Sequence, residues 1–373
     1  MTGRLRNLFA LLATAALVVS ACSSSSSTTA PSAAPSASSL KIGVVTDVGR
    51  VDDKNFNQYS YEGAKTAGAN LGATVNYVVP KDASDYTKDI QSYVDAKYDI
   101  IVTVGFNLGD ATIKAAKANP NIWFIAVDVA PCVDATGAPD ATFACKGDAA
   151  TLLPKLVGIQ FQEDQAGYLA GIVAASVSKV GKVGQIGGIN NNPAVVRYMQ
   201  GFQLGAASYN SKIVVDSAFF STGDLGKAYG DPVFGKTFSD QFIQQKGDDV
   251  LFQVAGATGN GALDAACAAN ILAIGVDVDQ YLSYPTADKC IVTSAEKHLS
   301  SAVSQTITNI NAGTAKGGIA KFDATNDGIG YSPFHNTAVT LPADVQGKLD
   351  AAVAAMKAGT LKTCPDKCGT WAP

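Results

Sequence analysis

Residues 41–58 read KIGVVTDVGRVDDKNFNQ, and this stretch decides the fold. Ile42 to Thr46 has the apolar, β-branched character of a short strand. It breaks into a polar loop carrying Asp47, Asp52, Asp53, Asn55, Phe56 and Asn57, and residues 59–71 follow as a helix. In an open α/β sheet, ligands sit just beyond the carboxyl ends of the strands. A strand that runs out into carboxylates, amides and one aromatic supplies hydroxyl acceptors and a stacking face, so this loop reads as half of a ligand site.

The same alternation continues outward. Residues 74–79 form a second strand, 84–97 an amphipathic helix with Ile90, Tyr93 and Val94 on one side, and 98–105 a continuous β-branched run of the kind buried on both faces of a parallel sheet. A helix over 110–118 stops before Pro120, and the strand 121–129 ends in Asp128. Residues 131–150 are an irregular insertion bounded by cysteines. A strand at 157–161 and an Ala/Gly-rich helix at 162–177 follow. The pattern then restarts, with strands at 182–189, 212–219, 249–255, 271–276 and 290–293 and helices at 193–209, 232–245, 261–269 and 298–311; residues 342–358 make one more helix. Two βα runs in series predict two parallel sheets, each flanked by helices. The expected lobes are 41–161 with 291–320, and 162–290 with 321–373.

Residues 1–21 carry Arg4 and Arg6 ahead of an apolar run too short to span a bilayer, which is the pattern of an export signal. Val19-Ser20-Ala21-Cys22 resembles a lipobox, which implies cleavage before Cys22 and lipid attachment to its thiol. Residues 22–40 are a Ser/Thr/Ala/Pro tether that would hold a folded domain near the outer face of the cell membrane. The six remaining cysteines form an even set in an exported chain and so suggest disulfides. Proximity favours Cys132 with Cys145, Cys267 with Cys290 and Cys364 with Cys368. With only His298 and His335, neither at zinc-like spacing, no metal site is expected.

The formal charge is −4 and becomes −6 once Arg4 and Arg6 leave with the leader, so a nucleic-acid partner is not expected. Arg50 and Arg197 are the only arginines left, too few for a polyanionic ligand; neutral polyhydroxylated solutes fit better. Polar or aromatic residues recur at strand ends: Asp47, Asp53, Phe56, Asn57, Phe106, Asp128, Asp277 and Lys297. Gly256 opens a glycine-rich turn over 257–261 that matches neither a P-loop nor a dinucleotide fingerprint. Asp52 and Asp53 together have the chemistry of an acid–base pair, but one capping a helix and one facing solvent is the plainer reading. There is no Gly-x-Ser-x-Gly elbow and no Cys–His set, so an exported hydrolase with Asp52 and Asp53 as its reactive pair is the remote alternative and no cofactor is called for.

Several motifs carry a resemblance: Val45-Thr-Asp47-x-Gly49-x-x-Asp52-Asp53-Lys-x-Phe56-Asn57-Gln58, Phe124-Ile-Ala-Val-Asp128, Tyr229-Gly-Asp231-Pro-x-x-Gly235-Lys236, Gly256-Ala-Thr-Gly259, Gly275-Val-Asp277-x-Asp279-Gln280 and Ser294-Ala-Glu-Lys297. Over about residues 40–335 the chain resembles the basic membrane protein family of bacterial lipoproteins, the substrate-binding components of ABC transporters, and within it the purine nucleoside receptor type. That resemblance implies a type I periplasmic-binding-protein fold, no enzymatic activity, a monomer, and delivery of solute to ABC permease subunits. It implies a nucleoside held between the lobes. Phe56 or Phe106, with Tyr229 opposite, would sandwich the base, and Asn57 and Asp128 would bond its edge. Asp277, Lys297 and the Gly256 backbone would hold the ribose, and Asp47 would support the site or bond ribose. Asn55 stands where the family usually has Ser, Tyr229 where Phe or Trp is commoner, and the 131–148 loop is an addition. A sugar or sugar-like signal in the same fold is the alternative ligand.

Overall fold

The computed structural model describes residues 40–372; the leader, the Cys22 lipobox and most of the tether lie outside the described residues. The strands, in chain order, are β1 (Lys41–Val45), β2 (Thr74–Val78), β3 (Ile100–Val104), β4 (Trp123–Val127), β5 (Leu156–Phe161), β6 (Lys182–Ile189), β7 (Val214–Ser221), β8 (Val250–Val254), β9 (Leu272–Asp277), β10 (Ile291–Lys297), β11 (Gly318–Phe322) and β12 (Ile329–Tyr331). They form two six-stranded sheets, ordered β11-β5-β4-β3-β1-β2 and β12-β10-β9-β8-β6-β7. Every pairing is parallel except that of β12 with β10.

The central strands are buried along their whole length because helices cover both faces; β3 (IIVTV) and β8 (VLFQV) expose nothing. Each fully buried Ile, Val, Leu or Phe there contributes about 1.5–3 kcal/mol. One hydrophobic cluster runs from Ile42, Val102 and Val127 of the first sheet to Phe252 and Ile274 of the second. It passes through Leu169 and Val173 of the helix Glu163–Val177 and Leu299 and Val303 of the helix Leu299–Asn311. In each sheet the strand order reverses direction beside its first strand, at β1/β3 and at β6/β8. The crevices beyond these points are where such sheets bind ligands.

Three expectations need correction. The stretch 291–320 does not begin the return to the first lobe: β10 sits between β9 and β12 of the second sheet, and the chain crosses only after Lys297. The helix Leu299–Asn311 then lies against the helix Phe56–Leu71, where Ser300 Oγ donates to the Tyr59 carbonyl at 2.7 Å. The chain completes the first sheet with β11 and crosses back to the second as β12. Neither β11 nor β12 was expected. Secondly, the glycine-rich stretch after β8 is not a turn. The helix starts at Gly256 and runs to Ala268, and Gly259 is there for space, since a Cβ on it would lie 1.6 Å from Gln253 Oε1. Thirdly, the 131–150 insertion is less irregular than expected. Buried Val133 bridges to Pro139 and Gly147, and a short helix, Ala149–Leu152, closes the segment. The three disulfides join Cys132–Cys145, Cys267–Cys290 and Cys364–Cys368, as proximity favours.

Candidate functional site

All ten candidate ligand-binding residues line one cleft between the two sheets: Asp47, Asp53, Phe56, Asn57, Phe106 and Asp128 from the first, Tyr229, Gly256, Asp277 and Lys297 from the second. The gap between atoms measures about 620 Å³, its open mouth included.

The cleft's electrostatic centre is Lys297, at the end of β10 and 3% exposed. Its ammonium donates to Asp128 Oδ2 at 2.5 Å and lies 3.4 Å from Asp277 Oδ1. Asp128 follows β4 and Asp277 ends β9, so the lysine ties the lobes together. Both aspartates adopt left-handed backbone (φ 60° and 66°), a conformation uncommon in non-glycine residues and most accessible to Asn and Asp. Burial lowers the affinity of Lys297 for its proton, but Asp128, Asp277 and Glu163 outweigh it and the ammonium is held above its ordinary pKa. Burial raises both carboxyls, against the lowering effect of Lys297. Asp128 Oδ1 is buried and accepts no hydrogen bond. Behind this trio Glu163 pairs with Arg197 Nε at 2.6 Å. The Phe56 ring centroid is 4.6 Å from the Lys297 ammonium, a cation–π distance.

Asp47 and Asp53 do different work. Asp47 accepts from the Tyr86 hydroxyl, from Val48 N–H at 2.7 Å and from Asn107 Nδ2 at 3.1 Å, while its own N–H donates to Asn57 Oδ1 at 3.2 Å. Burial raises its pKa, against those three donors. Asp53 accepts from the N–H groups of Asn55 (2.9 Å), Asn57 (3.0 Å) and Gln58 (3.1 Å), capping the helix Phe56–Leu71. Burial still pushes it up to about 6. Asp52 faces solvent in a two-pronged pair with Arg50 (2.7 and 2.8 Å). The plainer reading of this acidic pair therefore holds: one caps, the other is a surface ion pair.

Tyr229 belongs to a single π-helical turn, Gly226–Gly230, a local irregularity that recurs at functional sites. Its ring lies against Gly188 at the end of β6, where a Cβ would come within 2.3 Å of it. Its hydroxyl accepts from Asn192 Nδ2 at 3.2 Å, and Asn192 Oδ1 caps the helix Pro193–Tyr209 through Ala194 N–H. Sequence reasoning missed Asn192 and Tyr198, which also line the cleft. For Asn192 a signal was present, since Asn before Pro193 is a helix start; Tyr198 sits inside a helix and reads as core.

The cleft thus joins aromatic faces, a buried amine and carboxylates, with no nucleophile–base pair among the lining residues. A family profile described as "ABC transporter substrate-binding protein PnrA-like" (Bmp) matches residues 40–353. Among relatives, the ABC transporter nucleoside-binding protein BmpA of Lactococcus lactis is 30% identical over 84% of this chain and 87% of its own length. Basic membrane protein D of Borreliella burgdorferi is 28% identical over 78% and 77%. Among solved structures, an ABC transporter solute-binding protein of Aeropyrum pernix superposes with a TM-score of 0.73 at 22% identity, covering 88% of this chain and 94% of that one. That likeness establishes the fold.

Proposed function

The chain belongs to the Bmp family of ABC transporter substrate-binding proteins, and from that premise we propose that its cleft holds a nucleoside, a purine nucleoside in the first place. The observation that carries this reading is the pairing of aromatic and acceptor surfaces in one hollow. Phe56, Phe106 and Tyr229 offer ring faces, and Asp128 Oδ1 is a buried acceptor still without a donor. Rings suit a planar base; carboxylates suit vicinal hydroxyls. In this reading Tyr229 stacks opposite Phe56 or Phe106, Asn57 and Asp128 meet the base edge, and Asp277, Lys297 and the Gly256 backbone take the ribose. Asp47 and Asp53 hold the loop in shape, because protein donors already occupy both of their carboxylates. The name of the Lactococcus relative supports a nucleoside over a free sugar.

Delivery to ABC permease subunits, anchoring by lipid on Cys22, a position at the outer face of the cell membrane and a monomeric state complete the proposal. Closure of the lobes over the solute would be a hinge motion. The test is calorimetry of the folded part with adenosine, guanosine and inosine. Saturable heat with at least one is expected; no heat and no thermal shift with any of them refutes the nucleoside reading.

A further inference from the structure

The motif Gly275-Val-Asp277-x-Asp279-Gln280 contributes Asp277 to the cleft, but Gln280 does not line it. Gln280 is instead completely buried, with both the oxygen and the nitrogen of its side-chain amide hydrogen-bonded. Its Oε1 accepts from Gln253 Nε2 at 2.7 Å and from Val276 N–H at 2.8 Å, and its N–H donates to Ser294 Oγ at 3.0 Å. These bonds fasten it to β8, β9 and β10 together. Its remaining donor, Nε2, is given to Asn260 Oδ1 at 3.0 Å. That bond fixes which way the Asn260 amide faces. Asn260 Nδ2 then points across the lobe boundary and donates to the Asp53 carbonyl oxygen at 3.0 Å. Asn260 is 6% exposed and is not among the residues lining the cleft.

We propose that Asn260 is an interlobe latch and that Gln280 sets its direction, so that the second lobe positions the solute-facing loop of the first. Asp53 is the node on which the latch acts. Its carbonyl takes the latch, while its carboxylate gathers the N–H groups of Asn55, Asn57 and Gln58. Phe56 and Asn57, both cleft residues, lie inside that gathered turn. A carbonyl pulled from one side and a carboxylate pulled from the other leave the turn one orientation. Buried amide chains of this kind polarise one another, and breaking one member leaves the next unsatisfied. Gln280 and Asn260 are positioning residues, and the latch holds whatever solute the cleft takes.

Two variants test it. Gln280→Glu keeps the acceptor for Gln253 and Val276 but presents an oxygen where Asn260 Oδ1 needs a donor. The Asn260 amide is then expected to flip, turning its oxygen towards the Asp53 carbonyl. Asn260→Ala removes the latch outright and serves if the buried glutamate prevents folding. Hydrogen–deuterium exchange needs no solute. The expected result is exchange roughly five- to tenfold faster in peptides covering residues 53–58, with β8 and β9 peptides of the second lobe little changed. With inosine as probe, dissociation is expected to quicken by a similar factor. Unchanged exchange over 53–58 in a folded variant overturns the latch, as does faster exchange confined to the second lobe. If the parent chain binds no nucleoside, the solute reading falls and the exchange result still decides the latch.

Discussion

Replacing Lys297 with Met keeps most of the unbranched apolar stem, one atom shorter, and deletes the ammonium with its charge and its hydrogen bond to Asp128. In the parent chain the ammonium stands 2.5 Å from Asp128 and 3.4 Å from Asp277, and all three residues are less than a tenth exposed. Removing one partner of a buried ion pair costs about 3–5 kcal/mol, because the other charge is left in a poorly solvated place. Here two carboxylates are stranded and water has little access, so a loss of about 4 kcal/mol at pH 7 is expected from denaturant unfolding. The pH dependence separates this cause from lost packing. Stranded carboxyls have folded pKa values above the unfolded 3.8, so in the variant the native state takes up protons first on acidification. Asp128 already sits at about 7 beside Lys297 and rises further without it, so the deficit must be largest above pH 7 and shrink as the pH falls through 7. Adding Asp128→Asn to Lys297→Met removes one stranded charge and should restore part of the loss. A deficit below about 1 kcal/mol that does not change with pH would refute the electrostatic reasoning.

Other outcomes follow from the same geometry. Phe56→Ala with Tyr229→Ala should weaken nucleoside binding about a hundredfold, since stacking is worth about 1–3 kcal/mol per ring face; an affinity nearly untouched in calorimetry favours a sugar-like solute. Asp53→Asn should flatten part of the pH profile. Raising Asp53 from 3.8 to about 6 on folding means that the parent gains stability as pH falls through 6 towards 4 and loses it as pH rises. The difference is worth about 3 kcal/mol, and melting curves of parent and variant across that window should diverge accordingly. Gly259→Ala sets a methyl group 1.6 Å from Gln253 Oε1, so a destabilisation of about 1–3 kcal/mol is expected in denaturant unfolding.

Much of this molecule is written locally. Continuous apolar, β-branched runs and period-3.6 patterns announced the βα units, and polar residues after apolar runs announced the strand ends. Parallel sheets gather strand ends on one edge, and this is why ten residues spread from Asp47 to Lys297 meet in one hollow. The lobe crossings were not legible, because they depend on which sheet offers a free edge. Ile291–Lys297 pairs with β9 as readily as any strand returning to the first lobe would pair there. β11 escaped notice because it is an edge strand with Ile319 exposed and no continuous apolar run. Gly259 misled as a turn residue because its purpose, room for the Gln253 side chain, is a tertiary contact. The pairing of Lys297 with Asp128 across the lobes, and the chain from Gln253 to Asp53, also join residues far apart in sequence and leave no periodic mark.

The central claim is that a flat, hydroxyl-bearing solute is clamped where the tips of the two sheets meet. A crystal structure of the folded part grown with inosine tests it most directly. The expected density places the base against Tyr229 with Phe56 or Phe106 on its other face, and the ribose hydroxyls within hydrogen-bond reach of Asp277 and Lys297. A solute bound elsewhere, or a cleft closed on itself with Lys297 still bridging Asp128 and Asp277 and no room between the rings, would contradict it.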